Sequence, residues 1–164
     1  MEILVFATID LKQPGNYKQL FNDIRQYLAI YEYDVSNLEI FYEYVYQKED
    51  GEVFESDMVK RIKLFTTSNS FKIKNAISLM LKIISKFSRI SKRYFVGVRI
   101  IFDDITQVLD FSKKILSKMK KLNITMRISD TTIELISFNN NDIKKIIKFL
   151  EKELNNVNHK TCIF

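Results

Sequence analysis

The stretch "NLEIFYEYVYQKEDGEVFESDMVKRIKLFTT", residues 37–67, decides the architecture. Leu38, Ile40, Tyr42, Tyr44 and Tyr46 fall on one face, and Glu39, Phe41, Glu43 and Val45 on the other. A period of two belongs to strands. "KEDG" at 48–51 breaks the run with turn chemistry, so the spacing predicts an antiparallel hairpin.

Upstream, "EILVFATI" is a β-branched and aromatic strand closing at Asp10. "KQPGN" follows as a turn signal, with Asn16 at a capping position. Tyr17, Leu20, Phe21, Ile24, Tyr27, Leu28 and Tyr31 then recur at helical spacing. Downstream, Ser70 to Ile90 returns to that spacing, and "YFVGVRIIF", residues 94–102, is a nearly continuous apolar strand ending at Asp103 and Asp104. "DITQVLDFSKKILSKMKKL" is a third helix, with Asp104 and Gln107 spaced as a capping box. "NITMRISDTTIELISF" makes a second hairpin turning at Asp130, and Ile143, Ile146, Ile147, Leu150 and Leu154 mark a last helix.

The expected class is therefore α+β: two tandem β-α-β-β-α half-units forming an antiparallel-rich sheet with helices packed on one face. The first six elements match the ferredoxin-like plan. The C-terminal remainder has too few strands to fold alone. We expect one domain over 1–164, built from half-units 1–91 and 92–156 that share a core, with a loose tail over 157–164. No Gly/Pro/Ser linker divides them.

An apolar fraction of 46% with 28% charged residues is that of a folded chain. Three Gly, one Pro and no Trp, beside abundant Ile, Lys and Asn, reflect A+T-rich codons more than function. The single Cys162 excludes an intrachain disulfide, and with only His159 beside it no Cys/His zinc site forms. Residues 1–10 lack the basic start of a signal peptide, and no apolar run reaches the roughly 18 residues of a membrane span. A cytoplasmic setting without membrane contact is expected.

Charge is strongly segregated. Residues 1–57 carry 12 acidic and 4 basic side chains, residues 58–102 carry 0 and 11, and residues 103–164 carry 8 and 11. On a helix, Lys74, Lys82, Lys86, Arg89 and Arg93 fall within an arc of roughly 120°, opposite Ile73, Ile77, Met80, Ile83, Ile84, Phe87 and Ile90. Two readings compete. The arc is the solvated side of a packed helix, or a line of cations that tracks phosphates. No carboxylate stands at the i+4 positions to relieve their repulsion, so something acidic compensates them.

The expected function is a non-enzymatic binding protein that engages nucleic-acid phosphates, DNA or RNA, or an acidic protein surface. Lys60, Arg61 and Lys63 assist the helix in this reading. The alternative is a protein-interaction or inhibitor module whose acidic first third meets the basic middle of a partner or of a second copy, giving a homo-oligomer. Compensation within the chain is a further expectation, with Glu39 and Glu43 opposite Arg61 and Lys63.

Tyr31, Tyr33, Tyr42, Tyr44 and Tyr46 raise base stacking on an open sheet. Because Tyr42, Tyr44 and Tyr46 share a face with Leu38 and Ile40, core packing is the favoured reading. Phosphate loops, dinucleotide fingerprints, nucleophile elbows and His-Glu-x-x-His are all missing, and no cofactor is expected. The one catalytic constellation left is Asp10, Asp103 and Asp104 at strand ends. These are either Mg²⁺ ligands of a nuclease or ordinary helix caps.

Overall fold

The computed structural model describes residues 1–31, 35, 37–69 and 72–162, with the side chains of 156–162 outside the description. Tyr33 and the side chains of His159 and Cys162 therefore lie outside it. The elements run β1 (Glu2–Gly15), α1 (Lys18–Ile30), β2 (Glu39–Glu49), β3 (Glu52–Ser68), α2 (Ile73–Phe87), β4 (Ser91–Ile101), α3 (Ile105–Met119), β5 (Ile124–Ser129), β6 (Thr132–Ser137) and α4 (Asn140–Cys162). This is β-α-β-β-α twice over. One six-stranded antiparallel sheet has the order β2-β3-β1-β4-β6-β5.

The order β2-β3-β1-β4 is the ferredoxin-like sheet, and β6-β5 extends it beyond β4. The halves also mirror one another across the β1–β4 pair, since β2-β3-β1 is matched by β5-β6-β4. The two hairpins at the edges of the sheet turn where the sequence places them. Asp50 and Gly51 take φ of 51° and 82°, as a two-residue primed turn requires, and Asp130 takes φ of 51°.

Alternation divides the central strand into two faces. Ile3, Val5, Ala7 and Ile9 are buried in the core, together with Ile62 and Leu64 of β3, Val98 and Ile100 of β4, and Ile133 and Leu135 of β6. The same cluster takes Phe21, Ile24 and Leu28 from α1, Ile77, Met80, Ile83 and Phe87 from α2, Val108, Phe111 and Ile115 from α3, and Ile143, Ile146 and Leu150 from α4. All four helices thus cover one side of the sheet. α2 sits against α1 through the stacked rings of Phe21 and Phe87, 6.2 Å apart, and against α4, which in turn meets α3. Among the described residues the other side of the sheet carries no helix.

Local boundaries differ from the sequence expectation at four places. Asn16 does not cap α1: Tyr17 takes the cap position, its hydroxyl donating to Gln13 O at 3.1 Å. β1 runs through the turn signal to Gly15, which pairs with Val59 of β3 past an irregularity after Asp10, while its pairing with β4 ends at Leu11. α2 ends at Phe87 rather than Ile90, and Ser88–Ile90 form a turn in which Ile90 N donates to Phe87 O. α4 continues to Cys162, across much of the segment expected as a tail.

Candidate functional site

The helix-free face is built from the out-of-phase residues of the strands. Register places Phe65 of β3 opposite Phe6 of β1, and Phe6 opposite Gly97 of β4. Phe41 of β2 and Phe95 of β4 lie to either side, and Phe138 follows β6. Ring centroids step across the sheet: Phe41–Phe65 5.6 Å, Phe65–Phe6 6.4 Å, Phe6–Phe95 6.4 Å and Phe95–Phe138 5.4 Å. The result is a row of phenylalanines running perpendicular to the strands. Its centre is filled, Phe6 being 6% exposed with no helix above it, while its ends are open, with Phe41 at 54% and Phe138 at 57%.

Gly97 makes this packing possible. A Cβ there would stand 2.2 Å from Phe6 Cζ, so only glycine lets the ring lie on the backbone of β4. Arg99 closes the other side, its guanidinium 5.6 Å from the Phe6 centroid in cation–π contact.

Ion pairs border the row. Asp10 stands opposite Arg61 on one neighbouring strand and Arg93 on the other, and its two carboxylate oxygens accept from the Nε of each. Burial pushes the Asp10 carboxyl up, but the hydrogen bonds from Arg93 and Arg61 outweigh it and hold the group below its ordinary range. The bond to Asp10 likewise raises Arg61. Glu43 takes Lys60 at 3.6 Å, Arg61 at 3.4 Å and Lys63 at 3.9 Å. A bulge in the β2–β3 register at Glu43/Tyr44 brings Lys60 and Arg61 to the same carboxylate. On the far side Arg99 pairs with Glu134 at 2.9 Å.

Four of the sequence-derived cations therefore lie apart from α2. Lys60, Arg61, Lys63 and Arg93 belong to the helix-free face and are engaged by Asp10 and Glu43, so they do not extend the α2 surface. Arg93 leaves the expected helical arc because pairing of Ser91 with Leu11 and Arg93 with Asp10 draws the chain into β4. The expected compensation of Arg61 and Lys63 is supplied by Glu43, whereas Glu39 stands opposite Phe65 and forms no ion pair among the described residues.

The remaining cations stay together on the outer surface of the helical layer. Lys74 and Lys86 on α2 are exposed, Lys82 is half-buried, and Arg89 is exposed in the following turn. Among the described residues none of the four forms an ion pair, and the Lys86 ammonium rests 4.5 Å from the Tyr27 ring centroid. Neighbouring helices continue the bias: α3 carries Lys113, Lys114 and Lys118 against Asp110, and α4 carries Lys144, Lys145, Lys148 and Lys152 against Asp142, Glu151 and Glu153. A polar cleft of about 610 Å³, lined in part by Thr67, Ser68, Lys72 and Asn75, opens at the start of α2.

Tyr42 and Tyr44 pack against the core on the helix side, under Lys18, whose ammonium is 5.8 Å and 4.8 Å from their rings. Burial raises the Tyr42 hydroxyl above its ordinary value. Tyr46 departs from this pattern and is 63% exposed on the projecting part of the β2–β3 hairpin. The aromatic sheet surface is thus made of phenylalanines, which the tyrosine pattern concealed.

The three aspartates of the nuclease reading do not converge. β1 and β4 are antiparallel, so the end of β4 lies beside the start of β1: Ile101 pairs with Glu2, whereas Asp10 pairs with Arg93. Asp10 is committed to two arginines. Asp104 caps α3, accepting from Gln107 N at 3.0 Å while Gln107 Oε1 accepts from Asp103 N at 3.1 Å. Asp103 also accepts from the Met1 amino group at 2.9 Å. The antiparallel register separates what a shared metal would need together.

Among the described residues no helix is long and apolar enough to cross a membrane. The chain matches no protein-family model and no curated protein. Similar solved structures are remote. A crystal structure of A. aeolicus tRNASec in complex with M. kandleri SerRS aligns at 10% identity and TM-score 0.36, over 94% of this chain but 30% of that one. The regulatory subunit of aspartate kinase from Thermus thermophilus aligns at 10% identity and TM-score 0.28, over 95% and 96% of the two chains. A C-terminal regulatory domain of aspartate kinase from Porphyromonas gingivalis aligns at 12% identity and TM-score 0.28, over 93% and 92%. Similarity this weak assigns neither a family nor a function.

Proposed function

We propose that this is a non-enzymatic binding protein that engages nucleic-acid phosphates through the outer surface of its helical layer, centred on Lys74, Lys82, Lys86 and Arg89. One observation carries the reading: Arg61 and Arg93 are matched by Asp10, Lys60 and Lys63 by Glu43 and Arg99 by Glu134, whereas Lys74, Lys82, Lys86 and Arg89, grouped on one side of α2 and its following turn, are not matched among the described residues. Cations grouped along one helix without a carboxylate partner among the described residues raise a positive surface potential that attracts anions. Such contacts position a backbone and read little sequence. A cytoplasmic setting belongs to the same reading.

The test is binding to labelled duplex DNA, single-stranded DNA and RNA across a salt series, with Lys82→Glu/Lys86→Glu alongside. Affinity should fall with salt, each neutralised phosphate adding about 0.9 to the logarithmic slope on duplex DNA and about 0.7 on a single strand. The variant should bind more weakly with a shallower slope. No binding at low salt, or binding indifferent to the variant, overturns the reading and directs the search to an acidic protein surface.

A further inference from the structure

The helix-free face asks for a different partner from the helical layer. The phenylalanine row leaves Phe41 and Phe138 more than half exposed at its two ends, with Phe65 and Phe95 half-buried between them. Its bordering charges are already satisfied in the plane: Asp10 with Arg61 and Arg93, Glu43 with Lys63, and Glu134 with Arg99. Arg127, opposite Glu134 in the register, is exposed without an ion pair among the described residues, but the cations along the phenylalanine row itself are engaged. The surface complements an apolar stripe edged by alternating charge, which is a description of itself. We propose that the phenylalanine row is an isologous interface on which a second copy of this chain packs sheet to sheet.

Size supports this occupant. Six strands at about 4.8 Å spacing, each contributing about six to eight residues at about 3.3 Å, give a face of roughly 600 Å² per copy. Two copies would bury on the order of 1,200 Å², the lower bound of specific protein interfaces. The solvent-exposed ends, Phe41 and Phe138, would lose the most exposed area, and the central Phe6 and Phe65 would supply a rigid floor. Both half-units contribute, Phe41, Phe65 and Phe6 from the first and Phe95 and Phe138 from the second.

The experiment is sedimentation equilibrium of the full chain from nanomolar to high micromolar concentration, at low and at molar salt, for wild type and Phe41→Glu/Phe138→Glu. The expected result is a wild-type mass of twice 19.5 kDa that persists in molar salt, and half that mass for the variant with an unchanged circular dichroism spectrum. If the variant does not fold, the milder Phe41→Ala/Phe138→Ser takes its place. A wild-type monomer throughout overturns the proposal. So does a dimer that dissolves in salt, which charge would then drive, or one that survives the variant, which another surface would then hold. Single-stranded DNA binding lost in the phenylalanine variant but kept in Lys82→Glu/Lys86→Glu would instead assign the row to base stacking.

Discussion

The carboxylate of Asp10 bridges Arg61 and Arg93, one oxygen to each, from a position opposite both in the sheet register. The arrangement ties three adjacent strands on the face that no helix covers. Asp10 itself is 9% exposed, which leaves water little access to its oxygens. Without either arginine the buried carboxylate would lack a counter-charge, and without Asp10 two arginines would repel across one strand. The pair of β1 neighbours is thereby held in register at the one row where both offer cations.

Asp10→Asn should destabilise the protein by about 1.5–3 kcal/mol at neutral pH, the range for hydrogen bonds to charged groups. The lower end is expected because Arg93 remains 62% exposed and its pairing is screened. The native carboxyl lies below its ordinary value, so the stabilisation is complete above the ordinary carboxylate range and fades as pH falls through the native value. Urea midpoints of wild type and variant should converge in strong acid. A gap that is constant with pH would place the effect elsewhere.

Gly97→Ala should cost about 1–3 kcal/mol, the usual range for forcing extra volume into a packed site. The added methyl would meet the Phe6 ring rather than solvent. In a Phe6→Leu background the same change should cost much less, since the narrower side chain leaves the backbone of β4 free. A double-mutant cycle by denaturant melts reads the coupling.

The hairpin of 37–67 and the element order were legible because apolar periodicity records which side of each element is dry. The phenylalanine row was not. A nearly continuous apolar strand such as "YFVGVRIIF" reads as buried on both faces, whether the second face is covered or bare. Gly97 was the available signal, an isolated glycine within a strand marking close approach. The helical arc ran on to Arg93 because Ile90 and Arg93 happen to keep the period, and only pairing with β1 ends it. The Asp10 bridge depends on which strands flank β1, a non-local fact absent from any window of sequence. The place of Lys82 and Lys86 on one side of α2 was legible because helical spacing groups them opposite the apolar residues.

Asp104→Ala should remove an N-cap and cost about 1 kcal/mol. Gln107→Ala should cost less, because its side chain reaches back to the Asp103 N–H just ahead of the cap while its backbone N–H still meets Asp104. Mg²⁺ should leave the thermal midpoint of wild type and variant alike unmoved. A midpoint that rises with Mg²⁺ in wild type and not in Asp104→Ala would return this residue to metal binding.

Charge reversal should separate the two faces. Lys60→Glu/Lys63→Glu and Lys82→Glu/Lys86→Glu change net charge equally, so a purely global field would weaken nucleic-acid binding to the same degree in both. Local contact predicts otherwise. Lys60 and Lys63 share Glu43, whose carboxylate offsets them in the sheet, so their reversal should repel Glu43 and lower stability while changing the salt slope little. Lys82 and Lys86 have no such carboxylate among the described residues, and their reversal should reduce the slope by about 0.9 for each lost phosphate contact on duplex DNA while barely moving the melt. Salt-series binding and thermal melts of the two variants, measured together, distinguish a working surface on α2 from a field spread over the whole chain.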